Sequence, residues 1–309
     1  MRTLLQIVMV ASLATPSLAH SQARDTTRSP RSGAAAISAA RPFVAEVEGK
    51  GPPMLLIPGL ASSGDVWRDV VAHYRGRYEC HVLTLSGFAG TPAVVDSNYL
   101  VTMRDAIEAY IRERRLRAPV VVGHSLGGFL ALSIASHAPS LLGAVVNIDG
   151  LPFLPAAQAP GATAASARSM AEQMRHAYMT TPREQMDAML QAVVSAMVRD
   201  TSRNSTVLNW MRTSDGATVG LANYELYTTD LRDSLSTITA PVLNLHAWAG
   251  YRSYGATRER TESLTTQQYS RLARGTTRIN DSAHHFIMYD ELEWMLGEMD
   301  RFLATARSR

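Results

Sequence analysis

The chain predicts an α/β protein built on a mainly parallel sheet, and three observations carry that reading. Short apolar β runs alternate with helical patterns along most of the 309 residues. Strands and helices in alternation argue for parallel pairing with right-handed crossovers. The run Val120-Val121-Val122 leads directly into Gly123-His124-Ser125-Leu126-Gly127 and then into a helical stretch that starts near Leu126. That is a serine set in a sharp turn between a strand and a helix. A single stretch, Leu151 to Thr237, breaks the alternation with helices and no convincing strand, and is expected to be an inserted helical lid.

Taken in order, Phe43–Glu48 alternates like an edge strand, and Met54–Ile57 reads as a buried strand that ends at Pro58-Gly59. Asp65–Tyr74 is expected to be a short helix and Tyr78–Leu85 a strand, followed by the glycine-bearing loop Ser86-Gly87-Phe88-Ala89-Gly90. Tyr99–Arg117 is a long amphipathic pattern with Met103, Ile107, Tyr110 and Ile111 on one face. After the serine turn, Gly143–Ile148, Pro241–His246 and Thr276–Ile279 are the remaining expected strands, and Leu292–Leu303 the closing helix. Within the insertion, Thr181-Pro182-Arg183-Glu184 reads as a capping box with proline at the first helical position. Met186, Met189, Leu190, Val193, Val194, Met197 and Val198 follow at helical spacing. The methionines there (Met170, Met174, Met179, Met186, Met189, Met197, Met211) fit an adaptable apolar pocket or the insertion's own core, and the core is the expectation for most of them.

Composition narrows the class. A hydrophobic fraction of 46% with 18% charged residues is that of a globular protein. The net charge of +3 is small, Lys50 is the one lysine, and no basic stripe interleaved with aromatics occurs, which argues against nucleic-acid binding. Arg2, the apolar run Leu4–Leu13 and the small-x-small sites Ser17-Leu18-Ala19 and Ser21-Gln22-Ala23 read as an export signal over residues 1–23. Residues 24–41 read as a polar linker, with the core expected over 42–150 and 238–309 and the lid over 151–237. The expectation is a secreted or periplasmic protein with no stable membrane span. Cys80, the one cysteine, is expected in the core without an internal disulfide.

A serine hydroxyl becomes a nucleophile only with a base and a charge stabiliser. The serine is Ser125. The base is expected in Asp281-Ser282-Ala283-His284-His285-Phe286-Ile287-Met288, after the last strand, with His285 preferred to His284 because Phe286-Ile287-Met288 would anchor the loop. His124 reads as packing and His246 as a core histidine, while His73, His81, His137 and His176 show no convergent partner. For the acid, Asp149 ends the strand after the serine turn, just before the insertion; its bland role is to cap the following turn, and Glu259 and Glu262 remain as competitors. Two backbone N–H groups are needed for an oxyanion, and Leu126 and Leu60 are placed to give them.

These segments together resemble the α/β-hydrolase fold family. Ile57-Pro58-Gly59-Leu60-Ala61-Ser62-Ser63-Gly64-Asp65-Val66-Trp67 is similar to that family's His-Gly loop and following Trp, with Pro58 in place of the usual histidine. Leu85-Ser86-Gly87-Phe88-Ala89-Gly90-Thr91 resembles its D-x-x-G-x-G-x-S loop, Gly123–Gly128 its nucleophile elbow, and His285 with Asp290 and Glu291 its C-terminal G-H-x-x-x-x-E segment. The resemblance spans Phe43 to Leu303, with the lid matching in position alone. It implies Ser125 as nucleophile, His285 as base, and the Leu60 and Leu126 N–H groups as oxyanion donors. The acid departs from the pattern: the usual G-x-x-D turn after Pro241–His246 is missing, and Asp149 matches the members that place the acid one strand earlier. Serine at the elbow argues against the dehalogenase and epoxide hydrolase branches. The resemblance implies a serine hydrolase acting on a small molecule, a carboxylic ester, without a cofactor, and the N-terminal signal makes it an exported one. C–C or amide hydrolysis, or a low-turnover ligand-binding protein on the same fold, are the alternatives.

Overall fold

In the computed structural model, residues 41–95 and 97–306 are described, so the expected export signal and, except for Arg41, the linker lie outside them. Seven strands form one sheet: β1 (Phe43–Gly49), β2 (Pro53–Ile57), β3 (Glu79–Leu85), β4 (Val120–His124), β5 (Ala144–Ile148), β6 (Val242–Ala247) and β7 (Gly275–Asn280). Their order is β1-β3-β2-β4-β5-β6-β7. β1 runs antiparallel on β3, with Phe43 opposite Leu85, and every other pair is parallel. The helices are α1 (Arg68–Tyr74), α2 (Tyr99–Glu113), α3 (Leu126–His137), α4 (Ala164–Thr180), α5 (Arg183–Met197), α6 (Asn204–Thr213), α7 (Gly216–Thr228), α8 (Arg258–Gln268), α9 (Ile287–Asp290) and α10 (Leu292–Ala306).

Alternate side chains of each central strand point to opposite faces, and both faces are covered. Leu55, Ile57, Val121 and Val145 pack with Met103 and Ile107 of α2 and with Phe129 and Leu130 of α3. Met54, Leu56, Val122 and Val146 pack on the other side with Trp67, Val70 of α1, and Met295 and Met299 of α10. Cys80 of β3 is fully buried in this second layer as a free thiol. Burying a side chain of this size contributes roughly 1.5–3 kcal/mol, so the two apolar faces hold the layers together without a covalent link.

Two local expectations are corrected. α2 ends at Glu113, short of Arg117, because Arg115 and Ala118 take positive φ (56° and 43°) ahead of Pro119. The residue before a proline is disfavoured in the helical region, which stops the pattern there. The capping box expected at Thr181–Glu184 does not form. Thr181 closes α4, its N–H donating to Ala177 O, and Pro182 stands at the cap of α5 with no side-chain bond. The box is instead at the start of α4, where Thr163 and Ser166 bond each other's backbone N–H at 3.1 and 3.0 Å.

The stretch between β5 and β6 carries α4–α7 and, among the described residues, no strand. Its methionines do not form a closed core: Met174 is buried, Met179 is 52% exposed and the other five are half-buried. α5 buries Val194 alone, because its apolar stripe is split between a seam and a cleft. Met174, Ala177 and Tyr178 of α4 and Met186, Met189, Leu190 and Val193 of α5 line that cleft.

The insertion is tied to the core at two points. Glu225 of α7 caps α2, accepting the N–H groups of Tyr99 and Leu100 at 2.8 Å each. Past α5, the buried Asp290 carboxylate accepts the N–H groups of Arg199 (3.0 Å), Asp200 (3.0 Å) and His284 (2.8 Å). The Arg199 guanidinium returns to Asp290 O and to Glu291 Oε1. Leaving a buried N–H unpaired costs about 1–3 kcal/mol. Asp290→Ala is therefore expected to destabilise the fold by about 2–4 kcal/mol, read as a lower urea midpoint, with Asp290→Asn losing less.

Candidate active site

Ser125 sits between β4 and α3 with φ 54° and ψ −115°. A side-chain-bearing residue is rarely found there, and such strain costs of order 1–3 kcal/mol. Three contacts hold it. Ser125 N–H donates to Ile148 O at 2.8 Å, Phe129 N–H donates to Ser125 O at 3.0 Å, and the flanking glycines let backbones meet. A Cβ on Gly123 would stand 2.1 Å from Gly127 O, and one on Gly127 would stand 2.2 Å from Ile57 O. Both obstacles are main chain and cannot swing aside. Small residues at this spacing around the serine are thus a packing requirement of the turn.

The loop after β2 lies beside the serine: a Cβ on Gly59 would be 3.2 Å from Ser125 Cβ. The next residues are Leu60 and Ala61, the latter at φ 53°. Neither Leu60 N–H nor Leu126 N–H has an acceptor among the described residues. Leu126 is the first residue of α3, so its free N–H adds to the positive end of the helix dipole.

Asp149 follows β5, also at positive φ (50°), its N–H donating to Leu245 O at 2.7 Å. Its Oδ2 lies 2.6 Å from His285 Nδ1. Its Oδ1 accepts Ala247 N–H at 3.1 Å and faces His246 Nδ1 at 3.3 Å. Burial alone would raise its pKa, but the hydrogen bonds from His246 and His285, with their charge, outweigh it and hold the carboxyl well below the usual carboxylate range. The carboxylate is therefore ionised throughout the neutral range.

His285 is carried on the loop after β7, anchored by Phe286 N–H donating to Met197 O at 3.1 Å and by the buried Phe286-Ile287-Met288. Its ring centroid is 4.6 Å from that of His124, the neighbour of Ser125. Among the described residues no hydrogen bond joins Ser125 Oγ to His285; catalytic bonds of this kind frequently tighten only with substrate in place. His284 points elsewhere, its N–H on Asp290 and its side chain against Gly250. Glu259 and Glu262 are exposed on α8, and Glu262 pairs with Arg258 at 3.0 Å, so neither is drawn to His285.

Three histidines read as lacking partners do have them, all away from this cluster. His73 pairs with Asp300 at 2.9 Å, His81 with Tyr110 and Glu79 at 2.8 Å each, and His137 with Glu108 at 2.8 Å. His246 is buried, but it is part of the cluster, bonded to Asp149 and, through Nε2 at 3.1 Å, to Tyr269 OH. Sequence reading missed Tyr269 altogether; its hydroxyl bonds Gly150 O at 2.5 Å and accepts Asn147 Nδ2 at 2.9 Å. The one signal for His246 was the missing carboxylate turn after β6, which leaves it at the strand end; Tyr269 carried none. Among the described residues no three His, Cys, Asp or Glu side chains converge as a metal set.

His124 is fully enclosed. Its Nε2–H donates to His285 O at 3.1 Å, and Nδ1 has no partner. Burial, with the charge of His285 adding to it, drives its pKa down to about 3. An unfolded histidine takes up a proton near pH 6.5, so between there and about 3 the unfolded chain binds the proton and the folded one does not. His124 thus supports the fold at neutral pH, and that support drains away as pH falls through this window, by on the order of a few kcal/mol. His124→Gln keeps an amide donor for His285 O and does not titrate. It is expected to move the acid-unfolding midpoint to lower pH, followed by far-UV circular dichroism.

Residues 52–290 match the family model described as the alpha/beta hydrolase fold, and the chain belongs to that family. It is 28% identical over 203 residues to a pimeloyl-acyl-carrier-protein methyl ester esterase of Vibrio vulnificus, covering 65% of this chain and 77% of that protein. Among solved structures it is similar to a thermophilic esterase of Thermogutta terrifontis, with a TM-score of 0.68 at 17% identity over 85% of this chain and 93% of that one. It is also similar to a hydrolase of Pseudomonas aeruginosa, with a TM-score of 0.70 at 14% identity over 84% of this chain and 94% of that one.

Proposed function

We propose that the chain is a serine hydrolase of carboxylic esters, with Ser125, His285 and Asp149 as its triad. The observation that carries this reading is the 2.6 Å contact between His285 Nδ1 and a buried, ionised Asp149, set behind a strained serine. The likeness to methyl ester esterases favours an ester over an amide or a C–C bond. Ser125 Oγ attacks the ester carbonyl carbon while His285 Nε2 takes its proton. Asp149 fixes the Nδ1–H tautomer and stabilises the imidazolium without itself becoming protonated. The Leu60 and Leu126 N–H groups receive the oxyanion, a donor of this kind being worth about 10²–10³ in kcat. Collapse breaks the C–O bond to the alcohol, which leaves with the proton from His285. Water then attacks the acyl-serine, giving its proton to His285, and the acid departs as Ser125 regains its hydrogen.

We read α4–α7 as the lid over this centre. It follows directly on Asp149-Gly150, and its Ala196 and Met197 touch Gly250 and the loop of His285.

Labelling with a fluorophosphonate and turnover of p-nitrophenyl esters of rising chain length test the reading. Ser125→Ala is expected to lose labelling and all but a residue of turnover while keeping its fold. Asp149→Asn is expected to lower kcat by roughly 10²–10⁴ with little change in KM. Labelling retained in Ser125→Ala would place the nucleophile elsewhere.

We further propose export to the periplasm or medium, supported by Arg2, the apolar run Leu4–Leu13 and the small-x-small sites that follow. The exported chain is expected to begin near His20 or Arg24, read by N-terminal sequencing; Met1 retained on exported protein would overturn this.

A further inference from the structure

We propose that His246 is a positioning residue for the Asp149–His285 pair: it clamps the far oxygen of the carboxylate so that the near one faces the base. The inference rests on the hydrolase reading above and concerns the same centre. Asp149 divides its oxygens. Oδ2 serves His285 alone at 2.6 Å, while Oδ1 is held by Ala247 N–H at 3.1 Å and His246 Nδ1 at 3.3 Å. A carboxylate accepts and does not donate, so the nitrogen of His246 facing it, Nδ1, carries a proton. A carboxylate turns freely about its Cβ–Cγ bond unless both ends are held. Two donors on Oδ1 fix that angle, and with it the line from Oδ2 to His285.

The clamp is itself braced. His246 Nε2 lies 3.1 Å from Tyr269 OH, whose one proton is shared between that nitrogen and Gly150 O at 2.5 Å, while the hydroxyl accepts Asn147 Nδ2–H at 2.9 Å. Asn147 Nδ2 reaches Gly150 O (3.0 Å) and Asn244 Oδ1 (3.0 Å) as well. Gly150 is the residue after the acid, so the brace closes a ring through side chains of β5, β6 and the segment after α8 and back to the Asp149 backbone. His246, Asn147, Asn244 and Tyr269 are all buried. Among the described residues no hydrogen bond joins the ring to the N–H of Leu60 or Leu126, though Asn147 and Gly150 pack against Gly128 and Ser125 of the elbow.

Three variants separate clamping from packing. His246→Asn places an amide N–H near the position of Nδ1 and lacks the reach to Tyr269. His246→Gln does the reverse, and His246→Leu offers neither bond. Clamping predicts that Leu and Gln lower kcat on a p-nitrophenyl ester by about 10- to 100-fold with KM little changed, and that Asn restores most of the rate. A packing role predicts that Asn and Gln lose activity alike, in step with their melting temperatures, or that Leu keeps the parental kcat; either result overturns the proposal. A second reading needs no turnover. In the Ser125→Ala background, the low-field proton resonance of the Asp149–His285 hydrogen bond is expected to stay sharp with Asn at 246 and to broaden into exchange with Leu or Gln. If the parent neither labels nor turns over, the hydrolase reading fails while this resonance still decides the clamp. If the parent turns over and the resonance ignores position 246, the clamp alone is wrong.

Discussion

Asp149 carries a charge on a side chain that is only 8% exposed, and the carboxyl edge of the sheet is organised around keeping that charge satisfied. Stripping a carboxylate of water costs several kcal/mol unless donors replace the lost solvent. Here three N–H groups do so, from the loop after β7 (His285), the last residues of β6 (His246) and the strand backbone (Ala247). Their number matters more than any single contact. One donor would leave an oxygen bare; three give both oxygens a partner and draw β5, β6 and the β7 loop to a common point. The apolar layers set where the strands lie, and this charge sets how their ends meet.

The sheet was legible because its signals are local. Val120–Val122, Ala144–Ile148 and Val242–Leu245 are apolar runs of strand length between turn residues, and each became a strand within a residue or two of its expected bounds. Gly123 and Gly127 were legible for the same reason: a strained serine turn leaves no room for a side chain at either, and that shows in five consecutive letters. Boundaries decided by a neighbour were not. Thr181-Pro182 has the composition of a helix start, yet Thr181 was already committed to closing α4. The methionine stripe of α5 announces a buried face, but how much is covered depends on how far α4 stands off, and no spacing within α5 encodes that distance.

The placement of Asp149 beside His285 and the company of His246 mark the same divide. A carboxylate at the end of β5 and a histidine after β7 follow from chain order and the habit of parallel sheets to gather chemistry at one edge. That His246 and Tyr269 join them depends on the parallel register of β5 on β6, with Ile148 beside Leu245, and on α8 returning Tyr269 beneath the strand ends. Residues so far apart in sequence have no pattern that pairs them, and a lone histidine in an apolar strand looks like filler until the register is known.

The place of the Asp149 carboxylate at the end of β5 has a mechanical consequence. The helical insertion starts almost immediately after it, at Leu151, so a pivot at that junction would drag on the carboxylate bonded to His285. The chain is anchored to the core just beyond, where Gln268 Nε2 donates to Phe153 O at 2.8 Å; Leu231 N–H on Pro152 O (3.0 Å) and Arg232 over the buried Phe153 ring join this start of the insertion to its far end. The first three residues after the Asp149-Gly150 pair therefore form a collar, held to α8 at Phe153 and to the closing end of the insertion at Pro152 and Phe153. The helices beyond this collar and the carboxylate end of the sheet are thus joined through a short anchored segment, so substitutions in α4–α7 can accumulate without pulling on the contact between Asp149 and His285.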